Sequence, residues 1–206
     1  MSTSDLTGRP DAGGSTARDE RTTGLFVVGA MAALMWVVEI IDTIDDHRLD
    51  GHGIRPRSFD GLDGILFSPF LHGSFGHLIG NTIPFLVLGA VIAFSGALRV
   101  LLVTAIVGLV AGIGTWLTAP SNSVTVGASG IVLGYATYLL ARGIFSRRLL
   151  EIAVGVIVAV VWGGSFLFSL IPRPGVSWQA HLFGAIGGVV AAWLLTQERR
   201  RRQSAA

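Results

Sequence analysis

The chain alternates between long apolar runs and short polar connections. Six apolar runs occur, at about 24–41, 73–95, 98–118, 126–145, 149–171 and 179–196. A helix needs roughly 20 apolar residues to cross the hydrocarbon core of a bilayer, and each run is close to that length. The pattern therefore predicts an all-α polytopic membrane protein, with six transmembrane helices in one membrane domain over residues 24–196.

The two ends of the chain are polar. Residues 1–23 are rich in Gly, Ser and Thr with mixed charge, which predicts a disordered cytoplasmic tail and does not match a cleavable signal peptide. Residues 197–206 form a second, basic tail. Its run QERRRRQ directly follows an apolar segment, a placement typical of a cytoplasmic anchor that contacts anionic lipid head groups. We expect the bilayer, and no nucleic acid, as its partner.

Composition agrees with a membrane protein. Hydrophobic residues make up 51% of the chain and charged residues 14%, whereas soluble domains average about 25% charged residues. Cysteine is absent, which excludes disulfides, thiolate metal ligands and cysteine nucleophiles. Serine, histidine and carboxylate side chains must carry any chemistry.

The distribution of arginine predicts the orientation. With the N-terminus in the cytoplasm, six spans place eleven arginines on the inner side and four on the outer side, as the positive-inside rule requires. The inner arginines are Arg9, Arg18, Arg21, Arg99, Arg142, Arg147, Arg148 and Arg199 to Arg202, and the outer ones are Arg48, Arg55, Arg57 and Arg173. The acidic first connection then faces outward, and Glu39, near the outer end of the first span, is interpreted as an interfacial residue that reaches water.

Polar side chains within the second segment are candidates for function, because they are costly inside a membrane. In FLHGSFGHLIGNTIPF, His72 lies at the rim, and His77 and Asn81 are one helical turn apart on one face. His77 and Asn81 could simply hydrogen-bond a neighbouring helix, which is the commoner use of such residues. A metal site at His72 and His77 is not expected, because HExxH spacing and nearby carboxylates in the span are lacking. Paired buried aspartates of an aspartyl protease are also lacking.

The fourth segment opens with GASG. Ser129 would lie in the first turn of its helix, where unpaired backbone N–H groups favour a negative charge, and Gly127 and Gly130 would let a substrate backbone approach. In a chain with 28 glycines this string alone is a weak signal for a nucleophile.

The sixth segment offers a base. His181 lies near its outer end, where it could also be only an interfacial histidine. Gly184 and Gly188 follow on nearly the same face as His181, and Gly130 and Gly134 form a matching pair below Ser129. Two such small-residue faces allow close helix packing, which would bring the serine and the histidine together. In the predicted orientation all these polar groups share one depth in the outer half of the bilayer.

Three motifs together resemble the rhomboid family of intramembrane serine proteases. They are HGSFGHLIGN, GASG and AHLFGAIGG, and the resemblance covers residues 24 to 196. It implies that Ser129 is the nucleophile and His181 the general base, in a dyad without an acidic third member. It further implies an oxyanion hole formed by His77, Asn81 and the Ser129 N–H, with His72 as a supporting residue.

Two positions depart from the family pattern. Some members carry a Trp-Arg pair in the first outer loop, where this chain has GIRPRSFDGLDG. Some place a tyrosine against the catalytic histidine four residues after the nucleophile, where this chain has Leu133. The effect of both changes on activity is left open by the sequence.

The resemblance thus predicts an endopeptidase that cleaves transmembrane segments of other membrane proteins and needs no cofactor or metal. Its expected location is a bacterial inner membrane with both termini in the cytoplasm. The alternatives are a rhomboid-like protein that binds membrane clients without cutting them, and a small transporter. The first would be expected to lack the dyad, and the second would need ionisable groups along a path through the membrane. Substrate identity and oligomeric state do not follow from the sequence.

Overall fold

The computed structural model describes residues 12–204, with side chains over residues 16–197. The described chain is a bundle of helices. In order they are α1 (Ala12–Ile44), α2 (Gly64–Phe67), α3 (Phe75–Ala93), α4 (Ala97–Thr118), α5 (Ser129–Ser146), α6 (Leu149–Ser169) and α7 (Trp178–Ser204). Each of the six predicted apolar segments is helical, and the short α2 lies in the long first connection.

The first and last helices, α1 and α7, extend further towards the chain termini than the sequence predicted. Residues 12–23, assigned above to a disordered tail, form the first turns of α1, and 1–11 lie outside the described residues. Thr22 and Thr23 donate to the Arg18 and Asp19 carbonyl oxygens within this extension. Gly24 then packs closely on Ala93 at the end of α3. The predicted basic tail continues α7 as helical backbone to Ser204.

Within residues 12–204, five helices are long and apolar enough to cross a membrane: α1, α3, α4, α6 and α7. The chain is therefore a multi-pass membrane protein, and a sixth span at α5 remains a prediction. Most residues of α5 are buried against other helices, whereas α6 buries only Gly155 and Val158. A helix surrounded by protein does not need a lipid-compatible surface, which explains why α5 is less apolar than the helices around it.

The core lies around α5. Tyr135 is fully buried, stacks on Phe85 of α3 with 5.4 Å between ring centroids, and shares a 2.5 Å hydrogen bond with Thr104 of α4. On its other side, glycines of α5 and α7 face each other. A Cβ at Gly184 would collide with the Gly130 carbonyl, and one at Gly188 would collide with the Gly134 carbonyl. The four glycines therefore permit direct backbone contact between α5 and α7.

The first connection packs on the end of the bundle near the start of α5. Ile54 and Thr125 exchange two backbone hydrogen bonds, of 2.9 and 3.0 Å. Arg57 donates to the Leu117 carbonyl at 3.0 Å and to the Ser121 hydroxyl, and the Trp116 indole donates to the Ser58 carbonyl at 2.9 Å. The first connection, which lacks the Trp-Arg pair, is thus held against the bundle by these hydrogen bonds.

Candidate active site

Ser129 is the first residue of α5 and is held there by a tight loop. Gly127, two residues earlier, has φ +113°, a conformation that L side chains rarely adopt. Its N–H donates to the Ser68 carbonyl at 2.8 Å, which fixes the loop to the segment before α3. The serine therefore sits at a helix N-terminus, where first-turn N–H groups lack intrahelical partners.

His181 on α7 contacts this serine directly. Its Nε2 lies 2.8 Å from Ser129 Oγ, and its Nδ1 lies 2.8 Å from the Ser169 carbonyl oxygen at the end of α6. A carbonyl oxygen can only accept, so Nδ1 carries the proton and Nε2 is the acceptor for the serine hydroxyl. The geometry assigns His181 the tautomer that a general base needs.

His77 and Asn81 lie on the other side of Gly127. A Cβ at Gly127 would meet the His77 ring at 2.5 Å and the Asn81 amide nitrogen at 3.6 Å. Asn81 is 6% exposed, and its Nδ2 has no hydrogen-bond partner among the side chains and backbone described. Two side-chain donors therefore approach the loop that presents Ser129, and one of them is free to donate to a further group.

His72 lies behind this loop. It is fully buried, its ring makes an edge contact with His77 at 5.2 Å, and its Nε2 accepts a long 3.4 Å hydrogen bond from the Ala128 N–H. Burial, and then the neighbouring His77, lower the pKa of His72 to about 4. The ring is therefore neutral at neutral pH, as its acceptor role requires, and it positions the residue before Ser129.

The structure thus brings together the predicted site residues from three helices. Gly130 and Gly134 of α5 and Gly184 and Gly188 of α7 lie at the contact between the helices that carry the serine and the histidine. Leu133 is 4% exposed and lies one turn beyond Ser129 on α5. The orientation of the His181 ring is held by the Ser169 carbonyl.

Two contributors were missed by sequence reasoning. Ser74 caps α3 by accepting the His77 N–H at 3.2 Å, and a serine three residues before a helical histidine was a usable capping signal. The Ser169 carbonyl left no such signal, because any residue supplies a backbone carbonyl. Away from this site, in the described part of the chain, Asp42, His47 and Asp50 form a group that could hold a metal ion.

Chemically, these groups can activate a hydroxyl and stabilise an anion beside it. The fold and the site together define a class of protein. It is a helical multi-pass membrane protein with a paired serine and histidine at one end of its helix bundle. The chain matches the Rhomboid domain family over residues 61–198, and it belongs to that family.

Several known proteins are similar to it. The uncharacterized protein Rv1337 of Mycobacterium tuberculosis is 40% identical, over 96% of this chain and 87% of its own length. The uncharacterized protein ML1171 of Mycobacterium leprae is 43% identical, over 84% of this chain and 71% of its own. A Bacillus subtilis protein named "Putative rhomboid protease YdcA" is 34% identical, over 66% of this chain and 69% of its own.

Proposed function

We propose that this protein is an intramembrane serine endopeptidase that cleaves transmembrane segments of other membrane proteins. The observation that carries the proposal is the 2.8 Å contact between Ser129 Oγ and His181 Nε2, with Nδ1 held by the Ser169 carbonyl. This contact favours hydrolysis over the alternative of a rhomboid-like protein that only binds its clients. The Rhomboid domain match and the name of the Bacillus subtilis relative also support it.

The proposed reaction follows the steps of serine proteolysis. Ser129 Oγ attacks the scissile carbonyl carbon while His181 Nε2 takes the hydroxyl proton. The oxyanion that forms accepts hydrogen bonds from the Asn81 amide, His77 and the Ser129 N–H. His181 then gives its proton to the leaving amine, and the C–N bond breaks. Water hydrolyses the acyl-enzyme with His181 again as base, which frees Ser129.

The substrate must present an unwound backbone. A helical peptide engages its carbonyl groups in hydrogen bonds, so a transmembrane segment with helix-weakening residues near the site would be the favoured substrate. With the N-terminus in the cytoplasm, the site faces the outer half of a bacterial inner membrane. No cofactor takes part in the proposed steps.

A fluorophosphonate probe tests the nucleophile. We expect the purified protein to be labelled and Ser129→Ala to lose both labelling and cleavage of a fluorogenic transmembrane peptide, because only an activated hydroxyl forms the phosphonyl ester. Ser123→Ala is the matched control. Ser123 lies in the connection that leads into α5, where its hydroxyl donates to the Pro120 carbonyl, and this variant should be labelled like the wild type. Equal labelling of Ser129→Ala and the wild type would contradict the assignment of Ser129 as the nucleophile.

A further inference from the structure

Acidic and imidazole side chains converge where α1 ends and the first connection begins. Asp42, His47 and Asp50 each direct one potential ligand atom into a group whose atoms lie within 4.8 Å of one another. Asp42 Oδ2 and His47 Nδ1 are 3.7 Å apart. The His47 side chain is 46% exposed, which leaves a path from solvent to the group.

The chain turns tightly around Asp42 to form this group. Asp42 Oδ1 accepts the Leu49 N–H at 2.7 Å, and the His47 N–H donates to the Asp42 carbonyl at 2.8 Å. Asp46 and His47 have φ values of 54° and 58°, in the left-handed region. The turn occupies one oxygen of the Asp42 carboxylate and leaves the other beside His47.

Glu39 is a further buried carboxylate near the group. It is one helical turn before Asp42, and its charge interacts with Asp42, His47 and Asp50. The interpretation of Glu39 as an interfacial residue in contact with water is wrong, since it is fully buried. Within the described part of the chain, neither oxygen of Glu39 has a hydrogen-bond partner, and the same holds for Asp42 Oδ2 and Asp50 Oδ1.

Carboxylates in this arrangement are costly without a partner. A buried carboxylate without a hydrogen bond is among the costliest arrangements in a protein, and three close carboxylates also repel one another. The partly exposed His47 is a weak counter-ion for three acids. A cation would satisfy the unpartnered oxygens and remove the repulsion.

We propose that Asp42, His47 and Asp50 bind one divalent transition-metal ion of the class of Zn²⁺ or Mn²⁺, and that the nearby negative charge of the buried Glu39 strengthens the binding. Carboxylates alone would suit Ca²⁺ or Mg²⁺, but an imidazole donor favours a transition metal. With bonds of about 2.0–2.2 Å, two ligands on one ion lie at most about 4.4 Å apart, so the group closes by a few tenths of an ångström. From its sequence this protein was expected to need no metal, and a site was considered only at His72 and His77, so the cluster proposed here departs from that expectation.

The position of the site suggests what the ion does. A Cβ at Gly73 would lie 3.7 Å from Asp50 Oδ2, and Gly73 adjoins His72 at the start of the segment that leads into α3. An ion held by Asp42 and Asp50 would therefore tie the first connection to α1, next to the segment that leads to His77 and Asn81. This role does not depend on the proposed hydrolysis, and binding can be measured without a substrate.

Metal binding is tested on the full chain in detergent, after dialysis against a chelator. We expect calorimetric titration with Zn²⁺ or Mn²⁺ to show one saturable site per chain, and Asp50→Asn and His47→Gln to weaken it at least about tenfold. Asp60→Asn and His52→Gln are matched controls on exposed residues of the same connection and should bind like the wild type. No saturable binding, or unchanged binding in Asp50→Asn, would overturn the site. A preference for Ca²⁺ would overturn the assignment to transition metals.

Glu39→Gln keeps the test decisive if the other variants fold poorly. Removing a buried charge should leave the thermal unfolding temperature of the metal-free protein unchanged or raise it, while the rise caused by added metal shrinks. A purely structural role for Glu39 makes the opposite prediction, a lower metal-free unfolding temperature with an unchanged metal-induced rise. That result would show that the charge of Glu39 does not strengthen metal binding.

Discussion

Asn81 illustrates how much the role of a single side chain depends on its partners. The sequence left open whether this amide joins two helices or serves the reaction. In the structure its nitrogen is buried near Ser129 and makes no hydrogen bond within the described residues, whereas the adjacent Thr82 accepts the Trp36 indole N–H at 3.1 Å. A donor used only to join helices would have its partner in the resting protein.

Replacing Asn81 by leucine should therefore separate activity from stability. We expect Asn81→Leu to lower kcat by about 10²–10³, corresponding to about 2.7–4 kcal/mol of lost oxyanion stabilisation. Thermal stability should be kept or improved, because an unsatisfied buried amide costs about 1–3 kcal/mol. The measurements are cleavage of a transmembrane peptide and thermal unfolding in detergent.

Thr82→Val is the control with the reverse pattern, since it removes a hydrogen bond between α1 and α3 and touches no group of the dyad. It should unfold at a lower temperature with kcat near that of the wild type. A destabilised Asn81→Leu with normal kcat would contradict the oxyanion role.

Among the elements, α5 and α7 carry the site because their backbones touch. Small residues at 130, 134, 184 and 188 were identified from spacing alone, and each lies at the observed helix contact. Spacing sufficed here because residues four apart share a helix face. It could not predict that α6 supplies the Ser169 carbonyl to His181, since the register of α6 against α7 is a property of packing.

Gly184→Ala tests this contact. The added methyl group would collide with the Gly130 carbonyl, and overpacking of this kind costs about 1–3 kcal/mol. We expect a lower unfolding temperature together with a loss of activity up to about 10²-fold, because a shift of about 1 Å between Ser129 and His181 is enough to produce it.

Gly163→Ala on α6 is the matched control, because a Cβ there meets no described atom within 4 Å. Helix propensity alone favours alanine by up to about 1 kcal/mol, so this variant should be as stable as the wild type or more so. Equal behaviour of the two variants would show that the contact between α5 and α7 does not set the site geometry.

At the scale of the whole molecule, the orientation in the membrane remains a prediction from arginine counts. With six spans, eleven inner against four outer arginines predict a cytoplasmic C-terminus and an outer position for the connection between α4 and α5. We expect alkaline phosphatase fused after Ala206 to be inactive and a fluorescent protein fused there to fluoresce. Phosphatase fused after Asn122 should be active. The reverse activities would place the candidate site on the cytoplasmic side.

The helices and their approximate limits were determined by the sequence itself. A span depends on local properties, namely length and continuous hydrophobicity, and these can be counted along the chain. The first turns of α1 were missed because residues 12–23 have the polar composition of a tail, and their helix continues from the span that follows. The resemblance to the rhomboid family could also be recognised from the sequence, because it depends on three short motifs in a fixed order.

Only the tertiary structure decided which groups meet. The 2.8 Å separation of Ser129 and His181, the carbonyl that sets the histidine tautomer, and the burial of Glu39 beside Asp42 and Asp50 all join residues brought together by packing. Distances of this kind depend on helix register and on the path of a loop, which hydrophobic periodicity leaves undetermined. Sequence therefore identified the candidate reacting residues, while the packed bundle determined their geometry and created the cluster proposed to bind metal.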